Sequence, residues 1–405
     1  MKKNILDFWY PKTLDQKNGG YTIHVSAKNE LIPNSPKGIV TQSRQVWLAA
    51  RAARAGSGDK KALLDAAEHG YKFLHDKMWD SQHGGFYWET DAAGNPTKPN
   101  KHLYGNAFGL YAVSEYAMAS GRKDVLNFAI EIFNVLDTKA HDTEFGGYRE
   151  YFRRDWSAPQ AGDQSYMGGG ALDTKLMNTH LHLLEAVTTF YRASKMAVAR
   201  ERLIELINIQ SNSVLRKTLG ACTDQYERDW TPRLNAQTSR VSYGHDLENI
   251  WLLADAMDAA KVKTAPFVDL FKTLFAYSMK YGWDEQRGGF YDSGKFNEPA
   301  DNKNKVWWVE AEALVSALTM YELTKDRQYY DVFERTWAYL LREQIDWNDG
   351  EWWGTVRPDG TKGGEKANIW KGGYHNGRAM IESILRVKRL PAPPPSDKPI
   401  SILSK

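Results

Sequence analysis

Cysteine is almost missing from this sequence, which has one, Cys222, in 405 residues. A single thiol excludes an intramolecular disulfide framework and any zinc site built from several cysteines. No run of 18 or more apolar residues occurs, so we expect no membrane-spanning helix. The segment Met1–Asp15 has two lysines but then turns polar and aromatic, unlike a signal peptide. We therefore expect a cytoplasmic protein, or a periplasmic one if a signal peptide has been removed.

An excess of charge of one sign is also missing. The 53 basic residues nearly balance the 50 acidic ones, which leaves a net charge of +3. This balance gives no reason to expect a nucleic-acid partner or an anionic membrane surface. Aromatic residues are plentiful, with 15 Trp, 21 Tyr and 15 Phe. Such rings fill a large core or stack against sugar rings, and composition alone favours packing.

A Gly-Gly-aromatic phrase recurs along the chain and indicates an internal repeat. It stands at Gly19–Tyr21, Gly84–Trp88, Gly146–Glu150 and Gly288–Asp292, with a weaker relative at Asp349–Gly354. The steps between these phrases are 65, 62, 142 and 62 residues. Because the third step is about twice the others, we expect a degenerate copy near residue 217, within Lys217–Tyr226. The chain then consists of six units of roughly 65 residues.

Helical patterns fill the space between these phrases. Ser43–Gly56 has a serine and a glycine where a helix begins and ends, and Lys60–Asp80 repeats apolar residues at helical spacing. A helix pair cannot bury its apolar face alone, so six pairs must stack or close into a ring. We predict an all-α fold, an (α/α)6 barrel of six helical hairpins with short β-hairpins in the connecting loops. It should form a single domain over residues 1–389, followed by a proline-rich tail over residues 390–405.

Histidine is scarce, with 10 residues, and three phrases that carry it stand out. In the first, "NTHLHLLEA", residues four apart share a helical face, so Asn178 and His182 face together while His180 points elsewhere. The spacing does not suit a metal site on a helix, and no His-Glu-x-x-His motif occurs. We therefore expect His180 to be structural and no metal to be bound.

The second phrase, "SYGHDLENIW", places His245 and Glu248 on neighbouring positions of a helical turn. A carboxylate beside an imidazole fixes its tautomer, as a general base requires, but acidic residues are also typical of any helix start. Both interpretations stay open. In the third phrase, "WKGGYHNGRA", His375 lies in a glycine-rich turn, where histidine is more often exposed than catalytic.

The three phrases belong to different units, and in a closed ring the inner ends of those units converge on one pocket. We therefore expect His182, His245 and His375 to share that pocket. Five other histidines lie among charged residues and are predicted at the surface: His69, His75, His83, His102 and His141.

The phrases "SYGHDLE", "KVWWVEAEA" and "WKGGYHNGR" resemble signatures of the N-acylglucosamine 2-epimerase superfamily, most closely those of its cellobiose and mannose 2-epimerase branch. The similarity runs from about Asn4–Trp9 to Ser383–Val387 and includes "SRQVW" and "KHLYGNAFGLYA". It implies an (α/α)6 barrel that acts on a mono- or disaccharide as a monomer or homodimer. It also implies catalysis without a metal or organic cofactor, in which a pyranose opens and a proton moves at C2 through a cis-enediol(ate).

The resemblance also implies site residues. His245 and His375 would be two opposed acid/base groups, with Glu248 orienting His245. Seven residues would bind the sugar: Arg44, Tyr104, Asn178, His182, Trp308, Glu312 and Trp370. Asn178 and His182 would stabilise negative charge on O1 or O2, Arg44 would bond the reacting oxygens, and Glu312 would support the site from behind. Packing or ion pairing remains the alternative for Trp308, Glu312 and Arg44.

Several outcomes remain open within this interpretation. Reprotonation at C2 gives an epimer, whereas reprotonation at C1 gives a ketose. Trp352, Trp353 and Trp370 either stack on a second sugar or confine the enzyme to monosaccharides. An (α/α)6 glycoside hydrolase would need two carboxylates on opposite sides of a cleft, and Asp246 and Glu248 are too close for that. A sugar-binding module without turnover is the remaining alternative.

Overall fold

The computed structural model describes residues 1–390, so the predicted tail lies, except for Leu390, outside the described residues. Within that range there are twelve α-helices: α1 (Asp7–Lys12), α2 (Ile39–Arg54), α3 (Lys60–Phe73), α4 (Leu103–Ser120), α5 (Lys123–Lys139), α6 (Met177–Ser194), α7 (Ala197–Asn208), α8 (Tyr243–Ala260), α9 (Val268–Gly282), α10 (Trp307–Thr324), α11 (Arg327–Tyr339) and α12 (Tyr374–Arg389). Short π-helical turns cover Lys2–Leu6, Leu74–Met78, Ile209–Ser213 and Leu340–Gln344, and 3-10 turns cover Gly168–Gly170 and Ala265–Phe267.

The strands are two or three residues long and lie in the connections between helices. In the described range they are β1 (Lys37–Gly38), β2 (Glu89–Thr90), β3 (Pro96–Lys98), β4 (Lys101–His102), β5 (Tyr151–Phe152), β6 (Thr174–Leu176), β7 (Leu215–Arg216), β8 (Ala221–Cys222), β9 (Gln225–Glu227), β10 (Arg240–Ser242), β11 (Ser293–Lys295), β12 (Lys305–Val306), β13 (Thr355–Val356) and β14 (Lys362–Gly363). All pairings are antiparallel, as in the register Lys101↔Phe152. A strand that leads into an inner helix pairs with a strand of the next connection, as β4 does with β5.

Six helices form a closed inner ring. Helices α2, α4, α6, α8, α10 and α12 each contact the next, and α12 contacts α2. Five outer helices, α3, α5, α7, α9 and α11, each pack on the inner helix that precedes them. The outer partner of α12 is the N-terminal turn Lys2–Leu6, so the sixth hairpin joins the two ends of the described chain. The predicted (α/α)6 barrel is confirmed.

The sequences of inner and outer helices differ in the way that this ring requires. In inner helix α4 every residue from Leu103 to Ala117 is buried, because both faces meet other helices. In outer helix α5 the buried residues recur every three or four positions, from Val125 to Leu136, because one face meets solvent. Within residues 1–390, no helix combines the length and apolar character needed to cross a membrane.

Each Gly-Gly-aromatic phrase forms a tight turn that precedes an inner helix. In one of them, Asp284 Oδ1 accepts the backbone N–H groups of Gln286 and Arg287 at 3.1 and 3.0 Å. Buried Lys305 reaches the other oxygen, Oδ2, at 3.1 Å and also donates to the Gly288 carbonyl. Four further turns have the same buried pair: Asp15–Lys37, Asp80–Lys101, Asp142–Lys175 and Asp346–Lys366. The predicted degenerate copy near residue 217 is the hairpin of β7 and β8.

The residue after the glycine doublet donates its N–H to a polar side chain on the next inner helix. Tyr148 N–H bonds His180 Nε2 at 2.9 Å, while the other ring nitrogen of His180 bonds the Leu176 carbonyl at 2.8 Å. Gln42, Asn106, Asp246 and Glu310 accept the corresponding N–H in other repeats. His180 is therefore a structural acceptor, which confirms the prediction made for it.

Two histidines predicted at the surface are not there. His102 is 1% exposed and caps α4, where its Nδ1 accepts the Tyr104 N–H at 3.1 Å. Burial lowers the pKa of His102 to about 3, so the ring is neutral. His141 is largely buried and bonds Glu205 at 2.9 Å. The prediction was wrong because it took charged neighbours in sequence as a sign of the surface. The charged neighbours Lys101 and Asp142 instead form buried ion pairs in the turns.

We expect Gly289→Ala to destabilise the fold far more than Gly360→Ala. Both glycines have a left-handed backbone, with φ of +79° and +85°. A Cβ at Gly289 would lie 2.4 Å from Glu310 Oε2, whereas a Cβ at Gly360 would meet nothing within 4 Å. G360A should cost about 1 kcal/mol of backbone strain, and G289A about 3 kcal/mol because it also displaces the acceptor of a buried N–H. Equal losses in urea unfolding would contradict this account.

Candidate active site

The histidines of the three singled-out phrases lie in the first two turns of inner helices, at the same end of the ring. His245 on α8 and His375 on α12 both contact the Trp308 ring, with centroids 4.8 and 5.7 Å away. His182 on α6 packs edge-on against Tyr104 at 5.0 Å. His182 also lies close enough to lower the pKa of both other histidines, so the three repeats converge on one place as predicted.

Two of these histidines have carboxylate partners. His375 Nδ1 lies 2.7 Å from Glu312 Oε1, and the other oxygen of Glu312 accepts the Trp251 Nε1–H at 2.8 Å. His182 Nδ1 lies 2.6 Å from Glu185 Oε1. Because each carboxylate accepts a proton from Nδ1, Nε2 is left as the basic nitrogen. Glu312 therefore lies behind His375, whereas the resemblance had implied only that it supports the site from behind, and Glu185 was not predicted.

The predicted pairing of Glu248 with His245 is not what the structure shows. Glu248 Oε1 lies 2.5 Å from Arg378 Nη2, and Oε2 is buried without a hydrogen-bond partner in residues 1–390. No described residue bonds the His245 ring, whose neighbour is Trp308. The reason is that Glu248 lies one turn further along α8 than His245. Its side chain therefore reaches a buried cluster of charged residues around Arg378 instead of the His245 ring.

Arg378 is the centre of that cluster and was not predicted. Its guanidinium bonds Glu185, Glu248 and Glu312, and it is 1% exposed. Tyr374, one turn earlier on α12, donates to the Glu185 carboxylate at 2.5 and 2.6 Å. Both residues stand beside His375 in the phrase "YHNGR", and helical spacing applied there would have placed Arg378 on the inward face.

The pKa shifts follow from this burial. Burial lowers the pKa of His245 to about 3, with a small further decrease from His182. Burial, followed by Arg44 and Arg378, lowers the pKa of His375 well below its ordinary value. Both imidazoles are therefore neutral near pH 7, the form in which histidine accepts a proton. Burial, followed by repulsion from Glu312, raises the pKa of Glu248 well above its ordinary value, which favours its protonated form.

Three of these residues have the composition of a metal site. Ligand atoms of Glu248, Glu312 and His375 lie within 4.8 Å of one another. The Arg378 guanidinium, however, already bonds both carboxylates, at 2.5 and 2.8 Å. A fixed cation therefore takes the place that a metal ion would need between them, and the donor set does not fit a metal while Arg378 is bound there.

Arg44 lies beside the histidines and connects two walls of the site. Its Nη2 donates to the Tyr104 hydroxyl at 3.1 Å and its Nη1 to the Trp370 carbonyl at 2.6 Å. The guanidinium lies over the rings of Phe108 and Tyr374, 4.3 and 4.9 Å from their centroids. These contacts fix a positive charge near His375, and within residues 1–390 no carboxylate forms an ion pair with it, which leaves it able to bond an oxyanion.

The remaining predicted residues are spread outward from this centre. Asn178 donates its backbone N–H to Asp224, and its side-chain oxygen is buried without a partner in the described chain. No hydrogen bond joins Asn178 to His182 among these residues. Trp370 is 39% exposed, with its ring 6.1 Å from Tyr104 and 6.0 Å from Trp88. It therefore lies at the rim of the site.

Trp352 was predicted to stack on a second sugar or to block it, and the structure excludes both roles. Trp352 is 1% exposed and takes the aromatic place in the last glycine turn, bridged to Ile345. The aromatic residue at this position of the glycine turn is buried in the other repeats too, so Trp352 belongs to the hydrophobic core. Trp353 packs under the Lys366 ammonium, 3.9 Å from its ring centroid.

The geometry brings two neutral histidines into contact with one tryptophan at one end of an (α/α)6 barrel. The sequence pattern of the N-acylglucosamine 2-epimerase family matches residues 19–379, and the chain belongs to this family. It is 31% identical to the cellobiose 2-epimerase of Bacteroides fragilis over 385 residues, 93% of this chain and 95% of that protein.

Solved structures and more distant relatives agree with this assignment. The structure of the cellobiose 2-epimerase from Bacillus thermoamylovorans B4167 superposes with a TM-score of 0.88 at 32% identity, covering 95% of this chain and 97% of that chain. A D-mannose isomerase of Marinomonas mediterranea is 23% identical over 93% of each protein. The chain is thus an enzyme of the carbohydrate epimerase and isomerase class.

Proposed function

We propose that this enzyme interconverts the C2 epimers of the reducing-end sugar in a glucose-type β-1,4-disaccharide such as cellobiose. The observation that carries the proposal is the contact of both His245 and His375 with the Trp308 ring, at 4.8 and 5.7 Å between ring centroids. Epimerisation needs a proton removed from one face of C2 and returned to the other, and two opposed neutral bases suit that need.

The reaction begins once the pyranose ring has opened. The C1 carbonyl then makes the C2–H acidic, and one histidine takes that proton through Nε2 to leave a cis-enediolate. The other histidine takes up a proton from solvent once the enediolate charge lies beside it and gives that proton to the opposite face of C2, while the first histidine returns its proton to solvent. Arg44 stabilises the charge on O1 and O2 while the enediolate exists, and Nε2 of His182, whose Nδ1 faces Glu185, accepts a hydroxyl hydrogen of the sugar.

A disaccharide fits the aromatic surface better than a monosaccharide. The Trp370 ring lies 6.1 Å from Tyr104, which contacts His182, and 6.0 Å from buried Trp88. Trp370 is 39% exposed and offers its ring beyond the reacting sugar. The curated relatives that are about 30% identical are named cellobiose 2-epimerases, which supports the same substrate class.

Incubation in D2O tests the proposal directly. Cellobiose, glucose and mannose are supplied separately, and the products are followed by NMR. We expect cellobiose to gain deuterium at C2 and to yield its C2 epimer. A 2-ketose as the main product would indicate the isomerase outcome that the D-mannose isomerase relative suggests. No exchange with any of these sugars would refute the proposal.

The acid limb of the pH profile is expected well below the ordinary histidine pKa. The pKa of His245 is lowered to about 3, and that of His375 is lowered well below its usual value. Since the neutral imidazole is the base, kcat/KM should stay flat from about pH 8 down to about pH 6 and fall only at lower pH. Measurement of kcat/KM across that range checks this. A decrease in kcat/KM with a midpoint near pH 6.5 to 7 would contradict the lowered pKa values of the buried histidines.

A further inference from the structure

Arg378 bonds the carboxylate partners of both histidine–carboxylate pairs. Its Nη2 donates at 2.8 Å to Glu312 Oε1, the same oxygen that faces His375 Nδ1 at 2.7 Å. Its Nη1 donates to Glu185 Oε2, and the other oxygen of Glu185 faces His182 Nδ1 at 2.6 Å. One guanidinium therefore connects two imidazoles that lie on different helices of the ring.

The guanidinium has little freedom to leave this position. It lies between two rings, with Cζ 4.2 Å from the Tyr374 centroid and 4.6 Å from the Trp251 centroid. A planar group held between aromatic faces keeps a fixed set of hydrogen-bond directions. Its donors are therefore aimed at Glu185 and Glu312 before any substrate arrives.

The carboxylates need such a cation in order to act on the histidines. Burial opposes ionisation of Glu185, yet its pKa is lowered because Arg378, His182 and Tyr374 together outweigh that penalty. An ionised carboxylate accepts the Nδ1–H of histidine and keeps Nε2 free of its proton. A protonated carboxyl can instead donate to Nδ1, which moves the histidine proton to Nε2 and removes the base.

We propose that Arg378 is a positioning residue that sets the tautomer of both His182 and His375 by holding Glu185 and Glu312 as acceptors of their Nδ1–H groups. It does not touch the substrate. The importance of this role for turnover rests on the proposed function, whereas the tautomers themselves do not depend on it.

The opposite end of the ring makes the proposal accessible to experiment. At the far end of the ring, where the inner helices end, lies a cavity of about 590 Å³ that Glu185, Trp251 and Arg378 also border. Ion pairs such as Arg51–Glu382 at 2.7 Å line its walls. A guanidinium ion can therefore reach the place of a truncated Arg378 side chain without entering through the substrate end.

The experiment compares wild type and Arg378→Ala, with ¹⁵N-labelled histidine read by NMR at pH 7. In the wild type we expect His182 and His375 to carry the proton on Nδ1. In R378A we expect both signals to move towards the Nε2–H form and kcat to fall about 100-fold with little change in KM. Guanidinium chloride at millimolar concentration should recover about tenfold in kcat, whereas urea, its uncharged analogue, should not.

Two further variants keep the test decisive. Arg386→Ala removes another arginine of the same cavity, one that bonds Glu322, and should leave both histidine signals unchanged. Arg378→Lys retains a positive charge. If R378A does not fold, R378K takes its place in the NMR comparison. Because an ammonium cannot bridge Glu185 and Glu312, at least one tautomer should still change.

Two results would overturn the proposal. One is a wild-type enzyme with Nε2–H or charged His182 and His375. The other is a folded R378A or R378K enzyme with both tautomers unchanged. If the wild-type enzyme acts on none of the sugars while the Arg378 variants still show the tautomer changes, only the proposed function is refuted.

Discussion

An H375N variant is expected to lose about 10³-fold in kcat for epimerisation, with KM changed by less than about threefold. In the proposed mechanism His375 is one of two groups that exchange a proton with C2, and asparagine keeps a similar size without offering a base. Its partner Glu312 stays in place because Arg378 and Trp251 also bond it. Initial rates with the active disaccharide, measured by NMR or chromatography of both epimers, give the comparison.

The sharper form of this prediction concerns single epimers in D2O. In the proposed mechanism each histidine serves one face of C2, so H375N should exchange the C2 hydrogen of only one epimer with solvent. H245N should exchange only that of the other. Two variants that exchange the same epimer, or that keep full interconversion, would contradict a two-base mechanism.

A buried histidine near the site provides the matched control. His180 lies two residues from His182 and accepts the Tyr148 N–H, a role that Asn106 fills in the preceding repeat. His180→Asn should therefore fold and retain kcat within about threefold. A large loss in H180N would show that any buried histidine of this region matters for turnover, and H375N would then carry no information.

The fold could be predicted from the sequence because it repeats. The spacing of the glycine doublets gave the number of units, and even the copy that lacks the doublet was located near residue 217, where β7 and β8 pair. A helix pair cannot bury its apolar face alone, so repeated pairs must either stack or close into a ring. That the turn Lys2–Leu6 provides the outer partner of α12 was not predicted, because no periodicity relates the two ends of a chain.

The site was only partly predictable, for a reason that Glu248 and Arg378 make clear. Helical spacing tells which face a residue lies on, but not how deep in the barrel it sits. Glu248 shares a turn with His245, yet its partner is Arg378, 130 residues away. Likewise, the carboxylate of His375 comes from Glu312, 63 residues earlier. Such pairs depend on which inner helices become neighbours, and only the closed ring determines that.

Glu351 shows how a departure from the repeat can be more informative than agreement. It stands where other turns have their second glycine, and it keeps the left-handed backbone, with φ of 63°. Its carboxylate accepts Trp9 Nε1–H at 2.7 Å and Lys371 Nζ at 2.9 Å, and its N–H donates to the Asn4 carbonyl. The side chain thus ties the N-terminal segment to the last repeat and closes the ring.

Glu351→Ala is therefore expected to cost about 3 to 5 kcal/mol of unfolding free energy, because it leaves the Lys371 ammonium buried without a counter-charge. Glu351→Gly should cost about 1 kcal/mol less, since glycine tolerates the left-handed backbone. Urea unfolding at constant pH measures both. Exposed Glu365 nearby is the control, and E365A should change stability by less than about 0.5 kcal/mol.

Two properties separate this ion pair from ordinary packing. Burial already lowers the pKa of Lys371 in the folded protein, and loss of Glu351 lowers it further, so the unfolded chain binds more protons there. The stability of E351A should therefore rise with pH relative to the wild type and recover part of its deficit by about pH 10. In addition, K371M should rescue E351A, so that the double variant is more stable than the sum of the single losses by about 2 kcal/mol. Strict additivity, with a deficit that does not depend on pH, would mean that the Glu351 side chain stabilises the ring through its hydrogen bond to Trp9 rather than through its charge.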